Sequence, residues 1–328
     1  MKMEYEKTLL FAMSKWNLLR GVMALSIVLG HCSMEFVDEP LILALFHKFN
    51  LVWVGVFFFL SGWGLFRSYD VKESYLKGFV WKKTRKILSM TLVVFLFEFM
   101  IRVLLGGETL VYKNVFSFLL DYVVSTNWYM WELLFFYFVF YVVKCVIKDD
   151  RKQILAISII TIGLIVFAYY FLPKSYYTSA VGFVCGCGTY VFRIELQRVF
   201  DKHKYSVAML GLLVAIVCIG LSSQGDKSFL SVLGKNGMCI AICLLGTLFL
   251  MFINIDFSFL KPLAEVSLWI YLYHIPLIKA FRYIWEKVSR EIDILYVVVV
   301  VGTTLIFAYV IANGLKWTTK RLFGAEKI

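Results

Sequence analysis

The chain has 328 residues, of which 61% are hydrophobic, 17% charged and 18% aromatic, with a formal net charge of +12. Soluble domains average about half apolar and about a quarter charged, so this composition excludes a soluble enzyme, a disordered chain and a disulfide scaffold. The apolar runs are continuous, as at 154–172 and 296–311, whereas the strands of a membrane barrel alternate apolar and polar over about ten residues. An all-α integral membrane protein is therefore expected, because a helix satisfies its backbone within one apolar segment.

A spanning helix needs about 20 apolar residues. Ten transmembrane helices are predicted, at 17–37, 50–67, 87–105, 127–147, 154–172, 178–193, 205–222, 231–253, 263–281 and 293–313, so residues 1–328 read as a single membrane-embedded domain. With the N-terminus in the cytoplasm and the spans alternating, the inside segments together with Arg20 hold 24 of the 34 Lys and Arg residues. That bias obeys the positive-inside rule. It puts both termini in the cytoplasm and accounts for the basic charge without a nucleic-acid partner. The first run carries Arg20 and His31 and has no small-residue cleavage site, so it reads as mature structure rather than a signal peptide. The sixth run is short and carries Gly182, Gly186 and Gly188, which predicts close helix packing. Segment 106–126 has room for an interfacial helix at 115–124. Pro276, inside the ninth run, predicts a kink or a freed carbonyl. The seven cysteines lie in or at the ends of apolar runs and read as small hydrophobes. Their spacing suits no zinc site, and no metal is expected.

Ionisable groups inside lipid are expensive and are functional candidates by default. Arg20 and His31 are eleven residues apart, which is three helical turns plus about 20°, so both leave one face with a rise of about 16 Å between them. A guanidinium near the cytoplasmic side suits a phosphate, and an imidazole deeper in the same cavity suits a general base. The alternative is that Arg20 snorkels to headgroups and His31 makes a structural hydrogen bond. Glu35 follows His31 by four residues; on a continuing helix it orients that imidazole, and otherwise it is solvated at the outer interface. Ser61 ends an aromatic run, Phe57-Phe58-Phe59-Leu60-Ser61-Gly62, and reads as a packing notch or a polar site. The basic stretch with Lys77, Lys82, Lys83, Arg85 and Lys86 suits lipid headgroups or an anionic cytosolic donor. Glu98 and Arg102, four apart, predict an ion pair. Trp128 and Trp131 open the fourth run, where aromatic belts lie, and Glu132 is set deeper. Ser267, Tyr271 and His274 occupy related helical positions in the ninth run, while His47 and His203 fall in predicted loops and are given no role.

Taken in chain order, five elements resemble the motifs of the acyltransferase-3 family of integral membrane acyltransferases. They are Arg20-Gly21 with Gly30-His31; Gly55-Val56 through Phe58-Phe59-Leu60-Ser61-Gly62; Lys83-Thr84-Arg85; Trp128-Tyr129; and Ser267, Tyr271-Leu272, His274 and Pro276. The similarity covers nearly the whole chain. It implies transfer of an acyl group, usually acetyl from cytosolic acetyl-CoA, to a hydroxyl of a glycan or glycolipid at the outer face. It implies His31 as the catalytic base, Arg20 as a donor-binding residue and Arg85 as a holder of the coenzyme A end. Trp128 and Glu132 fall on the acceptor side or are structural. Lys83 stands where the family has an Arg, and the two cations are not equivalent for bidentate phosphate binding. Glu35 joins His31 on the catalytic face, and Ser61, Tyr271 and His274 are further substrate-side candidates. Direct transfer is expected, with Ser61 as a covalent acyl carrier the alternative. The extracytoplasmic domain fused to some members is not expected. The expected partners are the acceptor glycan, membrane lipids and envelope-polysaccharide biosynthesis proteins, in a bacterial plasma membrane. The rival reading is a transporter or flippase for a lipid-linked glycan or small anion, which predicts inverted repeats; no span resembles another closely enough to be one.

Overall fold

The computed structural model describes residues 2–105, 112–225, 228–288 and 291–323. Among them the regular structure is entirely helical: α1 (Lys2–Ser33), α2 (Leu41–Val71), α3 (Phe79–Leu104), α4 (Tyr112–Asp121), α5 (Trp128–Val146), α6 (Asp150–Phe171), α7 (Ser175–Thr178), α8 (Val181–Val191), α9 (Arg193–Ser222), α10 (Phe229–Phe252), α11 (Lys261–Lys287) and α12 (Ile294–Phe323), with a π-helical turn (Tyr122–Thr126) after α4 and a short 3-10 turn (Ser258–Leu260) before α11. Seven of these, α2, α3, α5, α6, α9, α10 and α12, are long and apolar enough to cross a membrane. The other three predicted spans fall on α1, α8 and α11. α8 has 11 residues and covers only about 16 Å, half of a hydrocarbon core of about 30 Å. The chain is thus an all-α, multi-pass membrane protein.

Several boundaries differ from the sequence reading. The loop expected at 38–49 is helical from Leu41 onward, which puts His47 on α2 rather than in a loop. Pro40 precedes this helix and no proline follows until its end. The basic segment 193–204 is also helical, and His203 (φ −128°, ψ 28°) marks a break inside α9. α1 stops at Ser33, where the Glu35 N–H turns back to the Cys32 carbonyl at 3.1 Å. The interfacial helix expected at 115–124 is α4, which begins at Tyr112. α11 runs through Pro276 without a break in its assignment, and Pro262 lies in its first turn, where a missing N–H costs no helical bond.

The helices divide into two compact units. The first comprises residues 1–17, 51–89 and 123–256. Its centre is a crossing of α2 and α8 through glycine. A Cβ on Gly182 would lie 2.1 Å from the Gly55 carbonyl oxygen, one on Gly186 would lie 1.9 Å from the Phe59 carbonyl oxygen, and one on Gly62 would lie 2.3 Å from the Phe183 carbonyl oxygen. The close packing expected of the sixth span is therefore backbone against backbone, as in small-residue membrane interfaces. Aromatic side chains fill the space alongside: Phe136 stacks on Phe183 at 4.5 Å and meets Phe58 at 5.5 Å. The start of α1 is fastened to α10, where Trp16 Nε1 donates to Thr247 Oγ1 at 3.1 Å. Lys15 Nζ donates to the Leu250 carbonyl at 3.2 Å and to that of Ile253, a cation on orphan carbonyls at a helix C-terminus.

The second unit comprises residues 18–50, 90–122 and 257–328. α11 lies along α12, tied by the Tyr296 hydroxyl donating to the Ile278 carbonyl at 3.0 Å. Phe97 of α3 wedges between Tyr273 and Phe307, with ring centroids 5.3 and 5.5 Å away. α1 reaches α11 at Gly21, where a Cβ would lie 2.6 Å from the Leu263 carbonyl carbon.

Because the atoms facing Gly186 are main chain, Gly186→Val cannot be absorbed by a side-chain rotation. It is expected to destabilise the detergent-solubilised protein by at least about 1–3 kcal/mol, read as a lower thermal unfolding midpoint. Gly163→Ala, where a Cβ meets nothing within 4 Å, should leave the midpoint unchanged or raise it.

Candidate active site

The residues singled out in the sequence divide between the two units. Arg20, His31, Glu35, Tyr271 and His274 lie in the second, while Ser61, Lys83, Arg85, Trp128 and Glu132 lie in the first.

In the second unit, α1 and α11 bring two imidazoles together. The His31 and His274 rings have centroids 5.0 Å apart and are inclined at 45°. The Tyr271 ring lies 5.4 Å from that of His274. His274 is only 3% exposed, and its Nδ1 hydrogen-bonds the Tyr271 carbonyl one turn back. Nδ1 therefore carries the proton and Nε2 the lone pair, and Nε2 meets no partner among the described residues. Ser267 is turned onto its own helix, its hydroxyl donating to the Ala264 carbonyl at 2.9 Å. Arg20, half-buried, lies about 16 Å from His31 along α1.

The glycines flanking these residues have packing reasons. A Cβ on Gly30 would lie 2.2 Å from Asn50 Oδ1, so the Asn50 carboxamide occupies the notch beside His31. Asn50 is buried, and its Oδ1 has no partner among the described residues. Sequence reasoning missed it, and the available signal was a lone amide opening the second apolar run.

Beyond the imidazoles lies an ionic layer. Because α1 ends at Ser33, Glu35 is not on the continuing helix that the sequence suggested. Its carboxylate pairs with Arg282 at 2.9 Å. Glu98 is fully buried and receives Lys279 Nζ at 2.6 Å, with Arg102 at 3.6 Å as expected from their spacing. Arg102 also reaches Asp121 at 3.7 Å and lies over the Phe118 ring. Lys279 and Arg282 were not foreseen, since their partners are remote in sequence. In the loop after α1, Glu39 is held below the usual carboxylate range, chiefly by the Ser33 hydroxyl that donates to it, with His47 at 3.0 Å adding to the effect against burial.

In the first unit, the Ser61 hydroxyl lies near that of Tyr137. Lys83 holds its ammonium 5.1 Å from the Tyr137 ring centroid and 5.7 Å from that of Phe79. A cavity of about 330 Å³ opens beside Lys83, Thr84 and Tyr137. Neither Lys83 nor Arg85 forms an ion pair among the described residues, so both cations can take an anionic group. Trp128 packs on Tyr129 and Tyr176 at 6.3 and 5.8 Å. Glu132 is 2% exposed, and neither carboxylate oxygen has a partner among the described residues.

The Acyl_transf_3 family model, an acyltransferase domain, matches residues 13–313. The chain belongs to the acyltransferase-3 family. No curated protein and no solved structure matches it.

The Glu98–Lys279 pair of this acyltransferase is structural in our account. Glu98→Gln and Lys279→Met are each expected to cost about 2 kcal/mol, because each leaves the other group uncompensated. The double variant should recover most of the loss. A thermal-unfolding double-mutant cycle checks this, and strictly additive losses would refute the pairing.

Proposed function

We propose that this acyltransferase moves an acyl group, acetyl in the first instance, from cytosolic acyl-CoA to a hydroxyl of a cell-envelope or exported glycan, in a bacterial plasma membrane with both termini in the cytoplasm. The observation that carries the reading is the placement of His31 and Arg20 on one helix of a chain matched by the family from residue 13 to 313. The half-buried guanidinium of Arg20 is suited to the phosphates of the donor. Lys83 and Arg85 are assigned to the same anionic substrate on charge and on their place in the family pattern. Trp128, Glu132 and Tyr271 are assigned to the acceptor.

In this reading His31 takes the proton of the acceptor hydroxyl. The hydroxyl oxygen attacks the thioester carbonyl carbon, and the oxyanion that forms must be met by donors in a low-dielectric setting. The C–S bond then breaks, and the proton held by His31 passes to the departing thiolate, giving ester and free thiol. Glu35, held by Arg282, contributes as a fixed charge at the same end of α1. Ser61, near Tyr137, acts in binding rather than as an acyl carrier.

Thiol release from acetyl-CoA by the purified full chain, supplied with a panel of glycan acceptors, tests the reading. His31→Ala is expected to lower kcat by about 100-fold or more. Arg20→Ala should act mainly on donor KM, raising it about tenfold, in line with the loss of one charge-assisted contact. Folded variants that both turn over acetyl-CoA like the wild type would overturn the assignments. A wild type that neither binds nor consumes acyl-CoA would move a transporter of anionic or glycan cargo to the front.

A further inference from the structure

His274 is buried deeper than the base it faces, and its chemistry is fixed by a backbone atom. A carbonyl only accepts hydrogen bonds, so the bond from His274 to the Tyr271 carbonyl requires a proton on Nδ1 and leaves a lone pair on Nε2. That lone pair is buried and meets no donor among the described residues. An acceptor in such a position is costly unless a donor reaches it.

The group in front of it is His31. The ring centroids lie 5.0 Å apart with the planes inclined at 45°; no hydrogen bond joins the rings in this arrangement, and at that separation a turn of His31 brings one of its nitrogens to about 2.9 Å from Nε2. The charged and hydroxyl side chains named around the pair are bonded elsewhere. Glu35 is paired with Arg282 and Ser267 is bonded to Ala264; the Asn50 carboxamide lies in the Gly30 notch with its Oδ1 unbonded among the described residues. Among the described residues, no carboxylate is bonded to either ring. A carboxylate is the usual group that orients a catalytic imidazole, and here the ring facing His31 is a second imidazole with an unbonded lone pair.

We propose that His274 is the positioning residue of His31: in the reacting complex its Nε2 lone pair accepts the N–H of one His31 nitrogen, so that the other His31 nitrogen is left unprotonated and aimed at the acceptor hydroxyl. The inference rests on His31 being the base. When His31 takes the hydroxyl proton, it becomes an imidazolium whose N–H remains bonded to His274 Nε2. The positive charge is thereby stabilised without a carboxylate. The same proton then leaves His31 for the thiolate, and both rings return to their starting tautomers with no net change. His274 touches neither substrate in this scheme.

The test is thiol release from acetyl-CoA by the full chain, comparing wild type with His274→Ala, His274→Phe, His274→Gln and His31→Ala. His274→Ala and His274→Phe are expected to lower kcat about 100-fold, with donor KM changed less than about threefold. His274→Gln, whose side-chain oxygen can accept in place of Nε2, should recover at least about tenfold over His274→Phe. A merely structural role predicts no such recovery, because Phe fills the apolar space as well as Gln does. Loss in His31→Ala alongside wild-type kcat in His274→Ala, or a Gln variant no better than Phe, would sink the positioning role while leaving the base assignment intact. Wild-type turnover in His31→Ala would instead sink the reading beneath it. Nitrogen NMR of histidine-labelled wild-type protein in liposomes needs no variant for its central result, since the chain has four histidines. The expected signature is an unprotonated Nε2 on His274, and a protonated Nε2 would overturn the proposal.

Discussion

Helices in lipid gain little by hiding apolar surface from one another, so their association depends on close van der Waals approach. In this protein that approach is made at glycine. The α2–α8 crossing brings Gly62, Gly182 and Gly186 against main-chain atoms of the facing helix, and a single methyl group at any of them would separate the two backbones. The same device recurs beside the polar residues of the second unit. Gly21 lets α1 meet Leu263, and Gly30 leaves a notch for Asn50. The Arg-Gly and Gly-His pairs of α1 therefore each combine a functional candidate with the gap that lets another helix segment come close to it.

The charges inside the second unit obey a different constraint. An unpaired charge in a low-dielectric interior costs several kcal/mol, and Glu98, with no exposure at all, is tolerated because Lys279 and Arg102 reach it from two helices. Arg102 in turn spreads its charge over Asp121 and the Phe118 ring. Glu132 in the first unit is the contrast: a buried carboxyl with neither oxygen bonded among the described residues. A group so placed has polar capacity left for a hydroxyl-rich acceptor, which is why it stays on the acceptor side of the proposed reaction.

Much of the architecture was legible in the sequence because burial in lipid demands long apolar runs, and all ten predicted runs lie on helices. Local spacing also sufficed where the interaction is local: the Glu98–Arg102 pair and the shared face of Tyr271 and His274 follow from helical periodicity. What periodicity could not supply was the identity of partners distant in the chain. Arg282 as the partner of Glu35, Lys279 as that of Glu98 and Asn50 as the filler of the Gly30 notch all depend on which helices meet. The end of α1 was misplaced for a related reason. Apolar character continues past Ser33, yet the chain turns there, with Ser33 bonded to Glu39 and Glu35 to the Cys32 carbonyl.

The bond from His274 to the Tyr271 carbonyl has one more implication. Its acceptor is main chain, so the clamp on the imidazole belongs to the helix and not to any side chain at position 271. Substitution there can reshape the walls around the ring without altering which nitrogen holds the proton. Pro276 two residues further on has no N–H to donate back along α11, which leaves the Leu272 carbonyl without its usual helical donor in the turn that carries the imidazole. The orientation of His274 is thus as durable as the helix itself, while the side chains around it remain free to vary with the acceptor the enzyme serves.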